Sequence, residues 1–124
     1  MCRRKLNILV VDDHPDTVTM LEAWLAGEGH LVIGLTDLGG VESTLCKYAM
    51  DVVLIDLLFS GRDSTSTIRW IRSAFPSLQI IVMSGTSDLQ LTMRAIDAGA
   101  DSYLTKPIEW DVLHALLQNI PARS

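Results

Sequence analysis

The chain alternates short apolar runs with longer amphipathic segments, and glycine, proline and acidic residues separate them. The most continuous run is Val52-Val53-Leu54-Ile55, which Asp56 follows directly. Four aliphatic residues without polar alternation are typical of a strand buried on both faces at the centre of a parallel sheet. Asp56 then lies where this strand leaves the core, either as a solvated strand end or as part of a site.

Four further segments have strand character, and each is followed by a helical pattern. The strand segments are 6–11, 31–33, 78–83 and 102–105, and the helices are expected at about 16–26, 40–49, 67–75, 87–98 and 109–119. Strands that alternate with helices, through connections long enough for right-handed crossovers, indicate a doubly wound α/β fold with a parallel sheet. Residues 1–124 are therefore expected to form a single domain.

Composition and charge exclude several classes of protein. The chain is 48% hydrophobic and 20% charged, as in soluble globular proteins. Its formal net charge of −5 argues against direct binding of nucleic acid or of an anionic membrane, and suits a cation or a basic partner. Two cysteines without C-x-x-C spacing suggest a reducing compartment, and no apolar stretch approaches the length of a membrane span. We expect a cytoplasmic protein.

Polar residues with useful chemistry follow four of the five predicted strands. These residues are Asp12, Asp13, Asp56, Ser84 and Lys106. Because parallel strands end at one edge of the sheet, the three carboxylates should lie close together, where they need a cation or a shifted pKa. Oxygen ligands without histidine or cysteine at metal-ligand spacing favour Mg²⁺. Lys106 and Ser84 would complete a socket for a small dianion such as phosphate.

The motifs at these strand ends, taken together, resemble one known family. They are ILVVDD (8–13), VVLIDL (52–57), IIVMSG (80–85) and AGADSYLTKP (98–107). In this order and spacing they are similar to the receiver domain of bacterial two-component response regulators, over essentially the whole chain. The resemblance implies a flavodoxin-like five-stranded sheet flanked by five helices, with strand order 2-1-3-4-5, and a cis peptide bond between Lys106 and Pro107.

The resemblance also implies roles for individual residues. Asp56 would accept a phosphoryl group from a histidine kinase or a histidine phosphotransfer domain. Mg²⁺ would be bound directly by Asp13, Asp56 and the backbone carbonyl of Leu58, and by Asp12 mainly through water. Phosphoryl oxygens would be held by Ser84 and Lys106, with the backbone N–H groups of Leu57 and Gly85 as further donors. The domain would catalyse its own phosphorylation and dephosphorylation and would not turn over an external substrate.

The same resemblance implies a conformational switch. Ser84 would move towards the phosphoryl group, and Tyr103 would fill the vacated space. The output surface would be the helix at about 88–98, the fifth strand and the last helix, which would bind a downstream effector or form a homodimer. Tyr103 also has an ordinary reading as a strand aromatic. Trp110 is expected in the core or at its rim and is an interface candidate if it is exposed. His14 is interpreted as a helix-start residue in preference to a ligand.

The segment after Asp56 departs from the family pattern. The family usually has Met-Pro and then Asp-Gly, whereas this chain has Leu57-Leu58-Phe59 followed by a polar loop at 60–64. The backbone that carries the third metal contact is therefore expected to differ. Leu58 is apolar and cannot orient an attacking water molecule, so the acyl phosphate should hydrolyse slowly.

Three other functions compete with this hypothesis. A phosphorylation-independent interaction module would be expected to lack one of the five polar strand-end residues, and all five are present. An aspartyl-phosphate phosphohydrolase would need a second acid at the position of Leu58. A flavin-binding domain would need a Ser/Thr-Gly-rich phosphate loop after the first strand, where Asp12 and Asp13 would instead repel a phosphate.

Overall fold

The computed structural model describes residues 5–85 and 89–120. Its strands and helices are β1 (Asn7–Val11), α1 (Pro15–Gly27), β2 (Leu31–Leu35), α2 (Val41–Lys47), β3 (Val52–Asp56), β4 (Leu58–Phe59), β5 (Arg62–Asp63), α3 (Thr65–Ala74), β6 (Gln79–Ser84), α4 (Leu89–Ala98), β7 (Ser102–Thr105) and α5 (Trp110–Gln118). A 3₁₀ turn at Leu38–Gly40 precedes α2. The predicted cap at Ser87 and the next residue of the predicted helix lie outside the described residues.

Five strands form one parallel sheet in the order β2-β1-β3-β6-β7. Because β4 and β5 belong to a separate two-stranded hairpin, this is the predicted order 2-1-3-4-5 of the sheet strands, and the fold prediction is confirmed. Every residue of β3 is buried. The continuous apolar run at 52–55 is therefore explained by helices that cover both faces of the central strand.

Side chains of β3 alternate between two apolar layers. Val52 and Leu54 pack in the layer that α1 and α5 cover, whereas Val53 and Ile55 face α2, α3 and α4. Either Val112 or Leu113 satisfies the sequence pattern of α5. The structure buries Leu113 completely and leaves Val112 48% exposed.

Trp110 closes the layer between α1 and α5. Its ring meets Trp24 edge to face, with the ring centroids 5.7 Å apart, and lies 5.2 Å from the ring of His114. Both tryptophans pack on the core as partly buried residues. The prediction that Trp110 lies in the core or at its rim is therefore confirmed, and its role at an interface stays a prediction.

The segment after β3 is a hairpin and not the predicted polar loop. Leu58 pairs with Asp63, and Phe59 pairs with Arg62. The connection is Ser60-Gly61, and both residues have positive φ, +49° and +80°. Positive φ at both central positions is what a two-residue type I′ turn requires, and glycine adopts it without steric cost. The hairpin thus begins two residues after Asp56.

One arginine fixes the end of α3. The guanidinium of Arg72 donates hydrogen bonds to the carbonyl oxygens of Gly99, Pro76 and Leu78 and to the carboxylate of Asp101, at 2.6–3.0 Å. Arg72 thereby joins the end of α3 to the segments that precede β6 and β7.

None of the described helices combines the length and the apolar composition needed to cross a bilayer.

Helix α4 packs on the core through two alanines and the partly buried Leu91. Its fully buried residues are Ala95 and Ala98. Leu89, Met93 and Ile96 are large and apolar, and all three are exposed. An apolar stripe that faces solvent distinguishes α4 from helices α1, α3 and α5, which bury leucine or isoleucine.

Candidate functional site

The carboxyl ends of β1 and β3 lie side by side. Val11 pairs with Ile55, and this register places Asp12 and Asp13 next to Asp56. One oxygen from each of the three carboxylates and one nitrogen of His14 all lie within 4.8 Å of one another. The predicted cluster of carboxylates is therefore present, and His14 joins it.

Asp12 is completely buried and carries two strong contacts. Its Oδ1 accepts a hydrogen bond from the backbone N–H of His14 at 2.9 Å, and its Oδ2 lies 2.7 Å from Lys106 Nζ. Burial alone would raise the pKa of Asp12. The hydrogen bonds from Lys106 and His14 outweigh burial and hold this pKa below its ordinary value. Asp12 is therefore ionised and paired with the lysine.

Asp56 differs from Asp12 in charge balance. Only 3% of the residue is exposed; burial first, and then the charge of Asp12, raise its pKa to about 6. Lys106 Nζ at 3.2 Å from Oδ2 and the Leu58 N–H at 3.3 Å from Oδ1 act in the opposite direction. Because two carboxylates share one lysine, an ionised Asp56 leaves the pocket with excess negative charge.

The two carboxylate oxygens of Asp13 have different surroundings. Its Oδ2 accepts a hydrogen bond from the Ser60 backbone N–H at 2.9 Å. Its Oδ1 is buried and accepts no hydrogen bond from any residue in the described ranges. A buried carboxylate oxygen that accepts no hydrogen bond, 3.3 Å from His14 Nδ1 and among carboxylates that one lysine does not neutralise, fits a divalent cation such as Mg²⁺.

Ser84 and Lys106 occupy the neighbouring strand ends. Ser84 is the buried last residue of β6 and pairs with Thr105 of β7. Its carbonyl oxygen accepts a hydrogen bond from the Lys106 backbone N–H at 2.7 Å. The peptide bond from Lys106 to Pro107 is cis, as the sequence resemblance implied. The five predicted site residues therefore share one edge of the sheet.

Comparison with known protein families identifies the family of this domain. The sequence profile described as "Response regulator receiver domain" matches residues 8–118. The chain belongs to the response regulator receiver domain family.

Curated relatives and solved structures agree with this assignment. The chain is 32% identical over 124 residues to the transcriptional regulatory protein ZraR of Salmonella typhimurium. The alignment covers 100% of this chain and 28% of that protein. The chain is also 31% identical over 120 residues to the cell cycle transcriptional regulator CtrA of Caulobacter vibrioides, covering 96% of this chain and 52% of CtrA. The chain thus spans between about a quarter and a half of these relatives.

Among solved structures, a putative response regulator from Chloroflexus aurantiacus superposes with a TM-score of 0.86 at 28% identity, and covers 97% of this chain and 100% of that one. A two-component response regulator from Clostridium difficile gives a TM-score of 0.88 at 22% identity, with 94% and 95% coverage. The second likeness shows the fold alone.

One predicted donor of this receiver domain is engaged elsewhere. The backbone N–H of Leu57 donates to the carbonyl oxygen of Met83 at 2.7 Å, which extends the pairing of β3 with β6. The prediction that Leu57 offers a free donor is therefore wrong for this structure. The Leu58 N–H is the one that faces the Asp56 carboxylate. A ligand role for the Leu58 carbonyl stays a prediction.

The hairpin supplies contacts that sequence reasoning missed. Besides the bond from Ser60 to Asp13, the buried Ser64 Oγ donates to the Asp56 carbonyl oxygen at 2.7 Å. Asp63 forms an ion pair with Arg94 of α4, which lowers the pKa of Asp63. The Ser60-Gly61 pair between short apolar stretches is the one local signal of this turn. Through these bonds the hairpin joins the carboxylate cluster to α4.

Tyr103 lies at the opposite edge of the sheet from β2. It pairs with Val82 in the register of β7 with β6, and 54% of the residue is exposed. An exposed tyrosine next to the strand that ends at Ser84 is compatible with either of its sequence readings. Its switching role stays a prediction.

Proposed function

We propose that this receiver domain, formed by residues 1–124, is a phosphoacceptor of a two-component system that receives its phosphoryl group on Asp56. The donor would be the phosphohistidine of a histidine kinase or of a histidine phosphotransfer domain. The observation that carries the proposal is the buried Asp56 carboxylate, with Lys106 Nζ at 3.2 Å and Asp12 and Asp13 beside it.

The residues present support an in-line transfer that needs little covalent chemistry from the protein. A carboxylate with a pKa of about 6 is mostly ionised at neutral pH, so Asp56 attacks phosphorus without a separate base. The bond from phosphorus to the donor imidazole breaks as the bond to the Asp56 oxygen forms. Lys106 would balance the charge on the phosphoryl oxygens, and Ser84 would donate a hydrogen bond to one of them.

A cation would be held by Asp12, Asp13, Asp56 and the Leu58 carbonyl. Mg²⁺ in this place supplies positive charge that offsets the charge on the transferred group. The buried Asp13 Oδ1, which accepts no hydrogen bond from the described residues, supports this assignment. The Ser60 N–H fixes the other oxygen of Asp13, so the carboxylate is held in one orientation.

The output surface would consist of α4, β7 and α5. Exposed apolar side chains lie on all three elements: Leu89, Met93, Ile96, Tyr103 and Val112. Occupation of Asp56 would draw Ser84 towards the site and favour a different position of Tyr103 and α4. A downstream effector, or a second copy of the domain, that prefers this arrangement would in turn favour phosphorylation. The longer relatives ZraR and CtrA, named as transcriptional regulators, support an effector in the same, cytoplasmic, compartment.

The direct test is the intact mass of the protein after incubation with Mg²⁺ and acetyl phosphate. We expect one added phosphoryl group in the parent and none in Asp56→Asn. Asp51→Asn, which changes a carboxylate at the opposite end of β3, should be phosphorylated like the parent. Equal phosphorylation of Asp56→Asn, or none in the parent despite Mg²⁺ binding, would contradict the proposal.

One observation favours a second candidate, a phosphorylation-independent interaction module. The hairpin already satisfies Asp13 Oδ2, and Lys106 already pairs with Asp12, so part of the site is closed by the protein itself. Such a module would show neither Mg²⁺ binding nor phosphorylation, while the α4-β7-α5 surface would still bind its partner.

A further inference from the structure

His14 directs a ring nitrogen at the carboxylate cluster. It occupies the N-cap position of α1, where its side chain makes no capping hydrogen bond. Its Nδ1 lies 3.0 Å from Asp12 Oδ1, 3.3 Å from Asp13 Oδ1 and 4.0 Å from Asp56 Oδ2. The contact with Asp12 Oδ1 is within hydrogen-bond distance, so in the metal-free protein Nδ1 can donate its proton to this oxygen, and a bound cation would take the place of that proton.

These distances match the edges of a coordination polyhedron. Two ligand atoms at about 2.1 Å from one ion, in adjacent octahedral positions, lie about 3 Å apart. The separations of Nδ1 from the Asp12 and Asp13 oxygens are of this size, and the oxygen of Asp13 is the buried one that accepts no hydrogen bond from the described residues. Nδ1 is therefore at ligand spacing from each of these two oxygens.

We propose that His14 Nδ1 is a ligand of the cation site and gives it a preference for divalent first-row transition ions, such as Mn²⁺ and Co²⁺, over the preference that carboxylates alone would give. The inference rests on the cation site of the proposed function and adds a nitrogen ligand to it. Of the described histidines, His30 and His114 lie away from this cluster, so the nitrogen can come only from His14 among them.

The chemistry of the ring explains the preference. Imidazole is a good ligand for divalent transition ions, whereas Mg²⁺ favours oxygen. The ring is bound through Nδ1, so the proton of neutral imidazole resides on Nε2. The His14 side chain is 67% exposed, which leaves Nε2 free to bond to water. Exposure also means that replacing this ring removes no core packing, so the fold should tolerate the change.

Pulsed electron paramagnetic resonance of the Mn²⁺-loaded protein tests the contact directly, because a coordinated imidazole couples its ¹⁴N nucleus to the metal. The comparison uses the parent, His14→Gln and the matched control His114→Gln, which removes a partly buried histidine of α5. We expect ¹⁴N coupling in the parent and in His114→Gln, and its loss in His14→Gln. Coupling that persists in His14→Gln, or is absent from the Mn²⁺-loaded parent, would overturn the inference.

Titration calorimetry with Co²⁺ and with Mg²⁺ gives a second readout. Mg²⁺ prefers oxygen ligands, so the loss of the His14 nitrogen should change its affinity little. We expect His14→Gln to weaken Co²⁺ binding by about tenfold or more and Mg²⁺ binding by less than about twofold. An equal loss for both ions would overturn the inference. If Mg²⁺ binds and Asp56 is phosphorylated but no ¹⁴N coupling is seen, this inference alone fails. If no divalent ion binds and Asp56 is not phosphorylated, the proposed function fails with it.

Discussion

Replacing Asp56 by asparagine should stabilise the metal-free protein at neutral and alkaline pH. The substitution keeps the shape of the side chain and removes a buried negative charge. Burial and the charge of Asp12 raise the pKa of Asp56 from an ordinary value of 3.8 to about 6. The folded state therefore holds a proton on Asp56 more tightly than the unfolded state does, and ionisation favours unfolding.

The size of the effect follows from the two pKa values. Each tenfold change in the acid dissociation constant corresponds to about 1.4 kcal/mol, so full ionisation of Asp56 costs the folded state about 3 kcal/mol. The stability that the protonated form retains is fully present below pH 3.8 and is lost as pH rises through about 6. Asparagine escapes this loss. We expect Asp56→Asn to exceed the parent by about 2–3 kcal/mol at pH 8, and by little at pH 4.

Urea unfolding, followed by tryptophan fluorescence in the presence of EDTA, measures this difference at both pH values. The exposed Asp97 of α4 provides the control: Asp97→Asn changes the net charge equally and should alter the free energy of unfolding by less than about 0.5 kcal/mol. Saturating Mg²⁺ should narrow the gap between parent and Asp56→Asn, because the cation offsets the same charge. A variant no more stable than the parent at pH 8, or a gap that is equal at pH 4 and pH 8, would refute this reasoning.

Three further predictions concern the hairpin, the arginine and the hydrolysis step. Leu58→Asn should shorten the lifetime of the phosphorylated protein, since an amide can orient water where leucine cannot; an unchanged rate of loss by mass spectrometry would contradict this. Gly61→Ala should destabilise the protein by about 1 kcal/mol in urea unfolding, because φ is +80°, and should weaken Mg²⁺ binding through Ser60. Arg72→Met should cost about 2–4 kcal/mol by leaving several carbonyl acceptors without a donor, whereas the exposed Arg69→Met should cost under about 0.5 kcal/mol.

The order of the sheet could be predicted because its signal, the succession of apolar runs, is carried by the linear sequence. A continuous apolar run such as that at 52–55 predicts a strand covered on both faces, and parallel order then brings the residues that follow the strands to one edge. The positions of Asp12, Asp56 and Lys106 follow from this arrangement alone. Their pKa values do not, since these depend on which carboxylate Lys106 approaches more closely.

Other features depend on information that the sequence pattern does not carry. Strands of two residues are too short to show periodicity, so the only local sequence signal of the hairpin at 58–63 is the dipeptide Ser60-Gly61. The prediction of His14 as a helix-start residue is confirmed, but that position does not say where the ring points. Similarly, the pattern of α5 does not distinguish Val112 from Leu113, because adjacent positions on a helix differ by only about 100°.

The modest anchoring of α4 has a consequence for local unfolding. Burial of apolar surface contributes roughly 25 cal/mol per Å², and alanine side chains offer the least surface of any apolar residue. The buried residues of α4 are Ala95 and Ala98, and Leu91 packs on the core while partly exposed, whereas every residue of β3 is buried. Although the Arg94 ion pair links α4 to the hairpin, α4 should therefore open at a lower free energy than β3. In native-state hydrogen exchange its amides should therefore exchange as a separate cooperative unit, while the amides of β3 exchange only when the whole molecule unfolds. The strand that ends at Asp56 is therefore expected to be the most stable element, whereas α4 can change conformation without disturbing the sheet.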